Sequence, residues 1–86
     1  MTNLTDPINL YQPAEYLIEL QGRLDPKWSA SFDRMAMTIQ SAPGGFTITS
    51  LRGVVSDQSA LHGMLYHIRD LGLPLLKVEC ISVNQS

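Results

Sequence analysis

The sequence is short of charge, of cysteine and of uninterrupted apolar runs. Only 16% of its 86 residues are charged, and six basic against eight acidic groups leave a net charge of −2. A chain that binds phosphates needs an excess of Lys and Arg, so no nucleic-acid partner is expected. The single cysteine, Cys80, allows no intrachain disulfide, and one thiol with two separated histidines is too small a donor set for structural zinc. A reducing, cytoplasmic setting is the expectation, with no metal and no cofactor. No stretch approaches the ~18 apolar residues of a membrane span. Residues 1–13 also lack the basic start and apolar core of a signal peptide, so neither export nor a membrane partner is expected.

What is present fits one domain. A chain of this length leaves roughly 40% of its unfolded-state surface exposed after folding, so a partner subunit would add what its own core lacks. Pro7 and Pro13 break residues 1–13 into an arm expected to be flexible; the alternative is that Ile8, Leu10 and Tyr11 cover a neighbour or a sheet edge. Residues 14–84 form the domain proper.

Tyr16, Ile18 and Leu20 alternate with Leu17, Glu19 and Gln21, the period of a half-buried strand. Asp25-Pro26 then supplies an N-cap acid and a first-turn proline, and Trp28, Phe32 and Met35 recur at helical spacing behind them. Met37 and Ile39 resume alternation, Ala42-Pro43-Gly44-Gly45 reverses the chain, and Phe46 and Ile48 continue it as a hairpin. The inward phase then shifts to Leu51 and Val55, which predicts a bulge between Ser50 and Gly53. Asp57 caps a second helix with an apolar stripe through Leu61, Leu65, Ile68 and Leu71, stopped by Gly72-Leu73-Pro74. Leu75 to Val83 reads as the last strand, with Leu76, Val78 and Cys80 on one side.

The order β-α-β-β-α-β predicts an α+β fold of the ferredoxin-like type, a four-stranded antiparallel sheet with two helices on one face and strand order 4-1-3-2. The expected core is Ile18, Leu20, Trp28, Phe32, Met37, Ile39, Phe46, Ile48, Leu61, Leu65, Ile68, Leu76 and Val78. The opposite face is expected to show Leu17, Glu19, Gln21, Arg23, Thr38, Gln40, Thr47, Thr49, Leu51, Lys77 and Ile81. So few charges suit a contact surface better than a freely solvated one, and a homodimer through this face or an outer strand is expected.

Two strings carry a likeness: Gly22-Arg23-Leu24-Asp25-Pro26-Lys27-Trp28, and Asp57-Gln58-Ser59-Ala60-Leu61-His62-Gly63 in a helix closing on Ile68-Arg69-Asp70-Leu71-Gly72-Leu73. The chain resembles a family of small uncharacterised bacterial proteins over roughly residues 16–78. Their pattern is a Gly-x-Leu-Asp-x-x-Trp segment and an Asp-Gln-x-Ala-Leu-x-Gly-x-Leu helix ending in Arg-Asp-Leu-Gly-Leu. This chain departs from it at Arg23, where relatives often have histidine, and its arm lies outside the pattern. The resemblance implies a fold and no particular activity.

Candidate chemistry is sparse. His62 and His67 stand about 140° apart around a helix and cannot chelate one metal together. Cys80, on the inward side of its strand, behaves as a small hydrophobe. Asp25 and Asp57 occupy helix starts as caps, which argues against an acylphosphatase-like phosphate site beside Arg23. Arg69 and Asp70 form an expected ion pair. No residue is nominated as catalytic. The ligand-binding candidates are Arg23, Trp28, Gln58, His62 and Arg69, with Trp28 as an apolar wall and His62 or Arg69 as polar groups; Arg23 reads first as a solvated or dimer-contact residue. Two functions from different classes follow. The favoured one is a non-catalytic regulatory or protein-interaction module, dimeric and open to a protein partner. The alternative is a small dimeric enzyme or small-molecule binder with a pocket between helices and sheet.

Overall fold

In the first strand, Ala14, Tyr16, Ile18 and Leu20 are buried, and the residues between them are half-exposed or exposed. The computed structural model describes residues 10–25, 27 and 35–83. They form β1 (Ala14–Gln21), β2 (Met35–Ser41), β3 (Thr47–Val55), α1 (Gln58–Asp70) and β4 (Leu75–Val83). All pairings are antiparallel, and the sheet order is β2-β3-β1-β4, which is the expected 4-1-3-2 arrangement. The fold is α+β, with an open four-stranded sheet and, among the described residues, one helix. The helix expected from Pro26, with Trp28 and Phe32, lies outside the described residues. Before it, Asp25 Oδ1 accepts the Lys27 amide at 3.0 Å. Met35, expected to close that helix's stripe, is instead the first residue of β2.

The inward phase of β3 is a correction. β1 pairs with β3 without a register shift, placing Leu20 opposite Thr49, Ile18 opposite Leu51 and Ala14 opposite Val55. Directly opposed residues share a face, so Thr47, Thr49 and Leu51 point to the core side and Ile48 to the other. The expected bulge between Ser50 and Gly53 is absent from both β3 ladders. An unbroken ladder keeps every backbone group paired, and the threonine it drives inward is satisfied. Thr49 Oγ1 donates to the Gly22 carbonyl at 2.7 Å and accepts the Leu24 amide at 3.0 Å. Phe46 lies before the strand and is exposed. Bulges occur instead where β1 meets β4, between Glu15 and Tyr16 and between Glu19 and Leu20.

The core therefore gathers Tyr16, Ile18, Leu20, Leu24, Leu51, Val55, Leu61 and Ile68, with Met35, Met37 and Leu65 packed against it. Ile39, Leu76 and Val78, expected inside, are exposed. On the sheet's opposite face, Arg52 Nε donates to Glu15 Oε2 at 2.8 Å and Lys77 Nζ lies 3.2 Å from Glu79 Oε1.

α1 starts and stops as expected. Asp57 Oδ1 accepts the Ala60 amide at 2.8 Å. At the other end the Gly72 amide donates to Arg69 and the Leu73 amide to Ile68, with Gly72 at φ 80°, which is a Schellman stop.

Candidate functional site

Gln58, His62, Tyr66 and Arg69 follow one another at intervals of four, four and three residues, so they line one side of α1. Leu61 and Ile68 occupy the buried side. The capped ends fix the helix's rotation and thereby the direction of this polar stripe. Two depressions flank it. A groove of about 510 Å³ runs between α1 and the start of β4, with Leu65, Leu73, Pro74 and Leu75 as apolar walls and His62 and Arg69 at its rim. A second, of about 420 Å³, opens toward the arm, between Leu10, Tyr11 and Gln58. His62 and Tyr66 border both.

Arg69 is held over a ring and beside a carboxylate. Its guanidinium carbon lies 5.2 Å from the Tyr66 ring centroid, and Nη2 lies 3.7 Å from Asp70 Oδ1. The expected Arg69–Asp70 pair exists, but with both side chains about 70% exposed it contributes little to stability, in the range of ~0–1 kcal/mol. The guanidinium stands at the mouth of an apolar groove, with the Asp70 carboxylate beside it offsetting part of its charge.

Gln58 has structural partners. Its Nε2 donates to the Tyr16 hydroxyl, and its amide donates to the Leu10 carbonyl at 2.9 Å, tying the arm and β1 to the helix start. Tyr16 stands opposite Cys80 in the β1–β4 ladder. Burial pushes the Tyr16 phenol above its usual range, and the neighbouring Cys80 adds to this. Burial likewise raises the Cys80 thiol. Both groups are thus un-ionised at neutral pH, and since the thiolate is the nucleophilic form, this environment suppresses thiol chemistry. The Tyr16–Gln58–Cys80 junction was not evident from spacing. The available signal was a tyrosine in the inward phase of an otherwise aliphatic strand, because a buried hydroxyl requires a partner.

Of the five ligand-binding candidates, the structure brings Gln58, His62 and Arg69 onto one stripe. Arg23 is exposed on the loop after β1 and borders neither depression. Trp28 lies outside the described residues. Among the described residues no group of three His, Cys, Asp or Glu could hold a metal ion. Among them, too, no helix is long and apolar enough to cross a membrane.

β4 completes the surface. Among the described residues it borders the sheet, and Leu75, Leu76 and Val78 are 49%, 45% and 39% exposed. Leu75 also lines the groove, together with Tyr66.

No curated protein and no solved structure matches the sequence. The family model described as a domain of unknown function, DUF8691, matches residues 15–79, from the first core strand into β4. Since that span takes in most of the polypeptide and nearly every element of the sheet, the chain belongs to the DUF8691 family.

Proposed function

We propose that this protein is a non-catalytic regulatory or protein-interaction module that works as a homodimer in a bacterial cytoplasm. Its frame on this reading is the ferredoxin-like βαββαβ sandwich, with the second helix supplied between β1 and β2. The strand order and the antiparallel pairing support that frame, because two interleaved βαβ halves produce both. The glycine-aspartate-tryptophan and aspartate-glutamine segments are the family's signature on the same reading.

The observation that carries the proposal is the border strand β4. Natural sheet edges are blunted by lysine, proline, bulges or inward charge, since bare amides and carbonyls recruit another strand. β4 has no proline and one lysine in nine residues, its bulges fall outside Lys77 to Cys80, and it exposes three aliphatic side chains. Such an edge is suited to pairing. Light scattering across micromolar concentrations tests this. A mass of two chains supports the module, and a single-chain mass at high micromolar concentration removes it.

A second reading, a small-molecule binder or small dimeric enzyme, is favoured by the groove. Its volume of about 510 Å³ falls within the range that holds small ligands, and its apolar walls meet a fixed cation, Arg69. Titration with the apolar sulfonate probe anilinonaphthalene sulfonate tests it. Saturable binding at one site per chain, weakened by Arg69→Ala, supports the reading, and no saturable binding removes it.

A further inference from the structure

We infer that two copies of this chain pair through β4 in one antiparallel register, with Val78 opposite Val78 of the second copy at the two-fold axis. This rests on the homodimer reading and specifies its geometry. Antiparallel pairing of identical border strands places the two-fold perpendicular to the sheet, so residues on one face of the first copy meet residues on the same face of the second. Val78 stands opposite Ile18 and lies on the core side, whereas Lys77 and Glu79 stand opposite Glu19 and Leu17 and lie on the open side. The segment from Lys77 to Cys80 pairs regularly with β1, and both bulges fall outside it. That segment is therefore the straight part of the edge.

Centring on Val78 sets Lys77 against Glu79 of the second copy, and the two-fold repeats the contact. The intrachain pair at 3.2 Å shows that these side chains already lean together on one face, so two such pairs would merge into a ring of alternating charge. On the other face the same register sets Val78 against Val78 of the second copy. The exposed Val78 becomes covered, and this apolar side is continuous with the core through Ile18, which stands opposite Val78. Opposite charges on one face and aliphatics on the other are the pairs that stabilise adjoining strands.

The other registers lose one or both features. Centring on Lys77 or on Glu79 places a charge directly against its own copy, which is repulsive. Centring on Cys80 sets Lys77 against Val83 and Glu79 against Ile81. Centring on Leu76 sets Lys77 against Leu75 and carries Glu79 past the end of the opposing strand. The other border, β2, reads MAMTIQS and contains no charged residue, so nothing there selects a register.

Two measurements test this on the full-length chain. In the first, Lys77→Glu and Glu79→Lys variants are weighed by light scattering alone and mixed one to one. Each alone is expected to dimerise at least tenfold more weakly than the parent, and the mixture is expected to recover the dimer, because each variant supplies the charge the other needs. Both changes are on exposed or half-exposed side chains, and circular dichroism of each variant checks that the fold is retained. In the second, Val78→Cys in a Cys80→Ser background is oxidised mildly and resolved on a denaturing gel. A linked dimer is expected at Val78→Cys and none at Leu76→Cys in the same background. If the parent is a dimer but Val78→Cys stays unlinked and the charge variants associate as the parent does, the register falls while the dimer stands. If the parent is a monomer, both fall.

Discussion

The hydroxyl of Thr49 donates to the carbonyl of Gly22 across 2.7 Å, joining the middle of β3 to the loop that leaves β1. The same oxygen accepts the Leu24 amide at 3.0 Å, so one buried side chain satisfies two backbone groups of a turn some 25 residues earlier in the chain. Leu24, anchored in this way, is itself part of the core.

Thr49→Val keeps the shape and removes both hydrogen bonds, leaving the Leu24 amide without its partner. A loss of ~1–3 kcal/mol is expected from the unsatisfied group. Thr49→Ser retains the hydroxyl and should cost nearer ~1 kcal/mol, for the methyl group alone. Urea denaturation of the three proteins checks the order.

Gly22 and Gly72 should differ in their tolerance of alanine. Both have positive φ, at 106° and 80°, which L side chains adopt at a cost of roughly 1–2 kcal/mol. A Cβ at Gly72 meets open space, so Gly72→Ala is expected to cost about that backbone strain alone. At Gly22 a Cβ would stand 3.1 Å from Leu73 Cδ2, and φ is further from the left-handed minimum. Gly22→Ala should therefore have the lower thermal midpoint of the two.

Alkaline pH should destabilise the fold through Tyr16 and Cys80. Both are acids whose folded pKa is raised above the unfolded value, so the folded state holds its protons longer. Their contribution is fully present below the unfolded pKa values, about 8.5 for a thiol and 10 for a phenol, and declines as pH rises through and beyond them. Cys80→Ala should flatten the first part of that decline. Stability measured in urea between pH 7 and 11 reads it directly.

The acid limb has the opposite sign. The hydrogen bond from Arg52 to Glu15 holds that carboxyl below its usual range. Its contribution is present above the unfolded carboxylate pKa of about 4.3 and is lost as pH falls through the lower folded value. Arg52→Ala should weaken this dependence, visible in titration of the Glu15 carboxyl by NMR as a return toward the ordinary value, with the Ser82 hydroxyl at 3.3 Å still donating to the carboxylate.

The helix was legible in the sequence at both ends because its signals are local. Asp57 caps the amide three residues on, and Gly72-Leu73-Pro74 closes the last turn within five residues. The phase of β3 was not legible for the converse reason. Thr49 looks like a surface residue until Gly22 and Leu24 arrive from far along the chain to satisfy its hydroxyl. Met35 was ambiguous because apolar residues seven apart fit a helix and a following strand equally well. At the site, helical spacing alone put Gln58, His62 and Arg69 on one stripe. The far wall of the groove, Leu73 to Leu75, depends on where β4 docks, and no periodicity encodes that.

Leu75 is at once a wall of the groove and the first residue of the border strand. Only four residues, Leu71 to Pro74, separate it from the end of α1. On the proposed readings, an occupant of the hollow and a second strand at the border would touch one shared side chain, and thermodynamic reciprocity would then require that whichever tightens the other be tightened by it in equal measure.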